Sequence, residues 1–310
     1  MLDLLRETAK RKQMKYFAPM NVVICGCVLL CTISYSVGYK HVIFMHGILS
    51  GPIEFNYYNE LVQQYHPNTP VTIVDMFDYL VSLTNMWTQV ENISAVVKPI
   101  MTNTTSEGTI LVCFSQGGLI CRALLSVIPH NVETFVSLSG PLSGQFGDSV
   151  FLKYFFPKYL KENIYKLFYT DYGQTYSIGN YWNDPHQQTL YKKFSTFLAV
   201  LNNQSDVVNP RSQGLSREYR HNFMRLKNLI LVGGPDDGVI TPWQAGHFGM
   251  YNESEAILPM EEQEWYKNDA FGLKTLNSQG RIHRFTFSGI PHRSWHSNLT
   301  VFETCIKPWL

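Results

Sequence analysis

Residues 108–125 constrain this chain more than any other stretch. Gly108-Thr109-Ile110-Leu111-Val112 is a short, continuous apolar run of the kind that forms a buried strand. Leu119-Ile120-Cys121-Arg122-Ala123-Leu124-Leu125 suits a helix. Between them Cys113-Phe114-Ser115-Gln116-Gly117 sets a serine at the junction, with small residues two positions to either side. A strand that turns directly into a helix leaves no space for bulky neighbours at the turn. It lifts the Ser115 hydroxyl to the top of the sheet and brings a helix N-terminus beneath any negative charge that develops there. Ser115 is therefore the first candidate nucleophile.

The remaining chain repeats the alternation of strand and helix. Residues 40–45 read as a strand ending at His46-Gly47, 54–65 as a helix, 70–74 as a strand and 87–101 as a helix leading to the elbow. Further strands are predicted at 134–138, closed by Ser139-Gly140-Pro141, at 228–232, closed by Gly233-Gly234-Pro235, and at 282–287. Continuously apolar strands separated by helices predict an α/β architecture with a mostly parallel central sheet covered on both faces. The elbow fits the α/β-hydrolase fold, except that Cys113 stands where the G-x-S-x-G pattern has its first glycine. About ninety residues separate the strands at 134–138 and 228–232, far beyond an ordinary crossover. The stretch is rich in aromatics, Phe151, Tyr154, Phe168, Tyr172, Tyr181 and Trp182 among them. It is predicted to be a large insertion at about 143–226, a lid lining an apolar pocket. The aromatics also suit a core of the insertion's own, and the two readings are compatible.

The N-terminus has a different character. Arg6, Lys10, Arg11, Lys12 and Lys15 precede an apolar run from Met20 to Ile33 that is short for a membrane span. Small residues at Ser34 and Ser36 suit cleavage near 36, so residues 1–36 are predicted to be a signal peptide, with an uncleaved anchor as the alternative. Residues 37–310 then form one hydrolase domain. Asn92, Asn103, Asn203, Asn252 and Asn298 each head an N-x-[S/T] triplet without proline, and five such sites after a signal-like start predict a luminal protein carrying N-linked glycans. Of six cysteines, Cys25, Cys27 and Cys31 lie in the apolar leader. In an oxidising compartment Cys113 and Cys121 are placed to pair across the elbow, a closure worth roughly 2.5–3 kcal/mol in the chain-entropy model. Cys305 is then left over, either buried and free or open to intermolecular pairing. No Cys/His spacing suits a metal. A net charge of +1 and the absence of basic runs interleaved with aromatics argue against nucleic acid.

A serine hydroxyl is a poor nucleophile near neutrality. It needs a base within hydrogen-bond reach, and the base needs a carboxylate to orient it. In this fold the order is Ser, then Asp or Glu, then His. Asp236 and Asp237 follow the strand at 228–232, and His292 follows the last strand, with His296 one helical turn on. Spacing alone leaves Asp236 against Asp237 and His292 against His296 open. The oxyanion hole needs two backbone N–H donors, predicted to be those of Gln116, directly after the serine, and Ile48, in the loop after the first strand.

From about Lys40 to Leu310 the chain resembles the lysosomal palmitoyl-protein thioesterases. The resemblance rests on Phe114-Ser115-Gln116-Gly117-Gly118, on residues 180–186 (NYWNDPH), on residues 233–243 (GGPDDGVITPW), on residues 269–275 (DAFGLKT), on Trp295-His296-Ser297-Asn298 and on Glu303-Thr304-Cys305. Matched by motif, the family's nucleophile falls on Ser115, its acid on Asp237 and its base on His292. Cysteine at position 113 is what the second type in the family carries, and the resemblance implies a Cys113–Cys121 bridge. The chain departs from the family in its other cysteines. A pair within the lid is replaced by Phe168 and Gly179, and the position facing Cys305 holds Phe285.

The resemblance implies a lysosomal enzyme, reached through the secretory pathway and in part secreted, that hydrolyses long-chain fatty acyl thioesters without a cofactor. Palmitoyl-CoA and small S-acyl compounds are the implied substrates, more than S-acylated proteins. A luminal carboxylesterase or lipase using the same three residues is the competing reading. A lipid-binding protein that merely kept the fold is disfavoured by the intact Ser115, Asp237 and His292.

Overall fold

The computed structural model describes residues 38–104, 107–206 and 215–310. The predicted signal segment, with Cys25, Cys27 and Cys31, lies outside the described residues, as does Thr105 of the Asn103 triplet. Six strands form one sheet in the order β2-β1-β3-β4-β5-β8: β1 (His41–Met45), β2 (Val71–Ile73), β3 (Thr109–Phe114), β4 (Val132–Leu138), β5 (Asn228–Gly233) and β8 (Ile282–Thr286). Every pairing in it is parallel, with Met45 opposite Cys113, Cys113 opposite Ser137 and Leu138 opposite Val232. The carboxyl ends of β3, β4 and β5 are thereby aligned, which is where an open α/β sheet carries its chemistry. The predicted strands all form, each within two residues at its ends.

Side chains of successive strand residues point to opposite faces, so each apolar strand feeds two cores. Ile43, Leu111, Phe135 and Leu229 pack on one side with α2 (Met86–Met101), α3 (Gln116–Val127) and α9 (Leu215–Phe223). Val42, Phe44, Val112, Val136 and Ile230 pack on the other with α1 (Asn56–Tyr65) and the C-terminal Phe302, Cys305 and Ile306. The predicted helix at 54–65 begins as a single 3-10 turn at Pro52–Phe55, where proline's fixed φ suits a first turn. α2 starts at Asn85, whose side chain accepts from the N–H groups of Trp87 and Thr88 and so satisfies two donors at the helix end.

Between β4 and β5, ahead of α9, the described residues build five short helices, α4 (Val150–Phe155), α5 (Tyr165–Phe168), α6 (Ser177–Tyr181), α7 (Gln188–Phe194) and α8 (Leu198–Leu201). None is long enough to stand alone, so packing holds them. Phe146 and Phe168 contact Trp182 at ring-centroid distances of 5.5 and 5.6 Å. Tyr154 and Tyr172, by contrast, are exposed. A Cβ at Gly179 would sit 3.3 Å from the Phe168 ring, so a large and a small side chain meet at the pair of positions where relatives were expected to carry a bridge. A two-stranded antiparallel ribbon, β6 (Met250–Tyr251) with β7 (Ile257–Leu258), follows β5 and was not foreseen.

Arg122 joins the elbow helix to the insertion. It is buried, donates to the Leu142 and Leu201 carbonyls and to Asn202 Oδ1, and stacks 4.2 Å from the Phe271 ring centroid. Burial pushes this guanidinium down to about 9. Cys113 and Cys121 are disulfide-bonded. Cys305 is free and fully buried, which removes the intermolecular alternative, and Phe285 packs at the edge of its cluster.

Candidate active site

Ser115 sits between β3 and α3 with φ of 53°, a conformation that a side-chain-bearing residue adopts only when its surroundings hold it there. Its N–H donates to Leu138 O at 2.9 Å, which ties the turn to the end of β4. A Cβ on Gly117 would lie 2.5 Å from His46 O, so the helix can approach the β1 loop only with glycine there. His46 is itself buried, with its ring nitrogens against the carbonyls of Gly47 (2.9 Å) and Met76 (3.1 Å), and it pins that loop. Among the described residues, no backbone acceptor takes the N–H of Ile48 or of Gln116.

The structure brings Ser115, His292 and Asp237 together and leaves the two rivals elsewhere. Ser115 Oγ lies 2.9 Å from His292 Nε2, and His292 Nδ1 lies 2.8 Å from Asp237 Oδ2. A carboxylate only accepts, so Nδ1 carries the proton and Nε2 is left to accept from the serine hydroxyl. Asp236 instead accepts from Gly289 N at 2.7 Å. His296 Nδ1 contacts the Glu54 carbonyl at 2.9 Å, and its ring stands edge-on to Phe114. The Asp237 loop and the His292 loop are held against each other because Gly234 carries no side chain: a Cβ there would fall 1.8 Å from Phe287 O.

Asp237 is the most heavily bonded group of the three. Oδ2 accepts from Ser139 Oγ at 2.6 Å and from Trp295 Nε1 at 2.7 Å as well as from His292, while Oδ1 accepts from Ile240 N at 2.7 Å and Val239 N at 3.0 Å. Burial alone would raise this carboxyl, but the bonds from His292, Ser139 and Ile240 outweigh it and hold Asp237 below its ordinary value. Ser139 and Trp295 escaped the sequence reading. The first passed as part of a strand-closing turn, and the second appeared only within a motif, with nothing to say that its indole N–H meets a carboxylate 58 positions away.

Beside Ser115 lies an apolar cavity. Ile48 and Leu49 form one wall, and Leu152, Ile178, Tyr181 and Trp182 reach over it from the insertion. The aromatics of the insertion thus serve its own core and a cavity wall at once. Among the described residues no group of three His, Cys, Asp or Glu side chains is placed to hold a metal ion.

A family model described as Palmitoyl protein thioesterase matches residues 41–292. The chain belongs to this family. It is 47% identical over 277 residues to the Lysosomal thioesterase PPT2 of Homo sapiens, covering 89% of each chain. The Lysosomal thioesterase PPT2-B of Xenopus laevis is 43% identical, with 91% of this chain and 96% of its own covered. The PPT2 homolog of Drosophila melanogaster is 37% identical, with 94% and 99% covered. The match to this thioesterase family spans both the elbow and the loops that carry Asp237 and His292.

Proposed function

We propose that this chain is a serine thioesterase that hydrolyses long-chain fatty acyl thioesters through an acyl-enzyme on Ser115. The observation that carries the reading is the continuous hydrogen-bond chain from Ser115 Oγ through His292 to Asp237 at the wall of an apolar cavity. The acyl chain lies in that cavity, each buried methylene contributing about 0.8 kcal/mol. His292 Nε2 takes the hydroxyl proton as Ser115 Oγ attacks the thioester carbonyl, and the N–H groups of Gln116 and Ile48 receive the oxyanion. His292 then returns the proton to the departing sulfur. A water deprotonated by His292 attacks the acyl-enzyme, freeing the fatty acid and regenerating Ser115. Asp237 holds the imidazole tautomer and stabilises its cationic form. The insertion acts as a lid over the acyl chain.

The lysosome, reached through the secretory pathway, is the proposed location, and the names of the relatives support it. The signal-like leader and the five asparagine triplets agree with it. Asn92, Asn103 and Asn203 are exposed, as glycan sites require, while Asn252 and Asn298 are half-buried. The test is hydrolysis of palmitoyl-CoA and of the matched oxygen ester by the secreted protein, beside its Ser115→Ala variant. Thioester cleavage that vanishes in the variant supports the reading. Cleavage of the oxygen ester alone would replace it with a carboxylesterase.

A further inference from the structure

The two N–H groups that face the oxyanion belong to separate elements. Ile48 lies in the loop after β1, and Gln116 opens α3 directly behind Ser115. Such a hole stabilises charge only if its donors keep their spacing while the charge builds on the oxygen between them. The side-chain contacts that tie one donor to the other run through a third segment, the 3-10 turn Tyr79–Leu83 after β2. Apolar burial does not explain how that turn is oriented. Tyr79, Leu80 and Val81 are 60%, 67% and 58% exposed, while Ser82 is only 1% exposed. Burial alone would place the aliphatic side chains inside and the serine outside.

Ser82 meets both halves of the hole. Its Oγ accepts from the N–H of Leu49, the residue after Ile48, at 2.7 Å. The hydroxyl proton goes to Tyr79 O, so Oγ faces Leu49 as an acceptor. The Ser82 carbonyl accepts from the side chain of Gln116, whose Nε2 lies 2.9 Å away. Gln89 on α2 donates to the same carbonyl at 2.8 Å and to Thr84 O at 2.6 Å, which fixes the turn to a long helix. Leu49 has a φ of 58°, a left-handed conformation that leucine keeps only when its surroundings hold it. On the other side of Ile48, the Gly47 carbonyl accepts from Ser50 Oγ at 2.9 Å. Ile48 is thus suspended between two anchored neighbours.

We propose that Ser82 is a positioning residue for the reaction: through Leu49 on one side and the Gln116 side chain on the other, it sets the spacing of the two oxyanion donors. The inference rests on the serine-hydrolase reading of the site and adds to it a residue that touches no reacting atom. Ser82 takes part in no bond-making step. Its contribution appears only as charge develops on the carbonyl oxygen, and binding of the uncharged substrate does not draw on it.

The test uses two variants of the full-length protein, each checked by its melting curve. Ser82→Ala removes the acceptor for Leu49 and leaves the carbonyl in place. Gln116→Met removes the other contact, keeps the backbone N–H, and tests the proposal independently if Ser82→Ala does not fold. Losing an oxyanion donor outright costs about 10²–10³ in kcat, so loosening its mounting should lower kcat roughly tenfold or more with KM little changed. A palmitoyl trifluoromethyl ketone, which Ser115 converts to a tetrahedral oxyanion, should lose affinity by the same factor. S-hexadecyl-CoA, a thioether without a carbonyl, should bind as it does to the wild type. A kcat that stays at the wild-type value in the folded variants overturns the proposal. Equal losses for the ketone and the thioether overturn it too, because they report general damage to the pocket. All esters share the oxyanion, so kcat is read on whichever ester the wild type cleaves. A wild type that cleaves palmitoyl-CoA beside a fully active Ser82→Ala sinks this proposal alone, whereas a wild type that cleaves only the oxygen ester sinks the thioesterase reading and leaves the role of Ser82 to be decided by the variants.

Discussion

Replacing Asp237 with asparagine keeps the shape of the side chain and changes only what it offers its neighbours, and the structure fixes the consequence. Oδ2 faces three donors, from His292, Ser139 and Trp295, and Oδ1 faces two, from Val239 and Ile240. An amide has one accepting and one donating end. With its NH2 toward Val239 and Ile240 it confronts two N–H groups; turned the other way it confronts the indole N–H and the imidazole N–H. Either orientation leaves two buried donors without an acceptor, at about 1–3 kcal/mol each, so the variant should lose about 2–6 kcal/mol of stability. For a domain of this size that lowers Tm by roughly 4–12 °C, at about 2 °C per kcal/mol. The turned orientation is relieved only if His292 takes the other tautomer, with its proton on Nε2, and that nitrogen can no longer accept from Ser115. The kcat on palmitoyl-CoA should then fall on the order of 10⁴-fold, the loss typical of a triad with the wrong tautomer. Thermal unfolding and steady-state hydrolysis on the same preparation read both effects. An asparagine variant that melts with the wild type and turns over within tenfold of it would refute the reasoning.

Three further outcomes follow from the same geometry. Trp295→Phe removes one of five donors to Asp237, a bond worth about 1.5–3 kcal/mol, so kcat should drop roughly tenfold and activity should fail at a higher pH on the acid side than in the wild type. Replacing Cys113 and Cys121 together by serine opens a loop with a sequence separation of 8, and chemical denaturation should show a loss of about 2.5 kcal/mol in the chain-entropy model. Stability should also fall on acidification. Buried His130 and half-buried His247 are both lowered by desolvation to about 4, below the unfolded value of 6.5, so the unfolded chain binds the extra protons. Their contribution is complete above 6.5 and is lost as the pH falls toward 4, up to about 3 kcal/mol each, while that of the depressed Asp237 persists until the pH drops below 3.8. Melting curves from pH 7.5 to 4 measure this, and a Tm that holds constant over that range contradicts it.

What the sequence made legible was whatever is contiguous. The elbow at 109–127 is a strand, a serine and a helix in one run, and the parallel sheet follows from apolar strands at helical intervals. The order of Ser115, Asp237 and His292 along the chain was readable for the same reason, since each follows a strand end. Neighbouring rivals were not separable by spacing. Asp236 and Asp237 leave the same strand, and only the turn at Gly234 decides which of them faces His292. The contacts that complete the site come from elsewhere in the chain: Ser139 from the turn after β4 and Trp295 from beyond β8. Each has an ordinary local role that hides its distant one. The long stretch between β4 and β5 stands out by length and composition, but the five short helices ahead of α9 owe their existence to packing around Phe168 and Trp182, which no local propensity encodes.

The central claim is that Ser115 carries the acyl group between two half-reactions. Rapid acid quench of the protein with palmitoyl-CoA, followed by peptide mass mapping, tests it directly. The account predicts one palmitoyl group on the peptide containing Ser115, none in Ser115→Ala, and no turnover by that variant. Turnover that survives Ser115→Ala, or a palmitoyl group found on another residue, would contradict it.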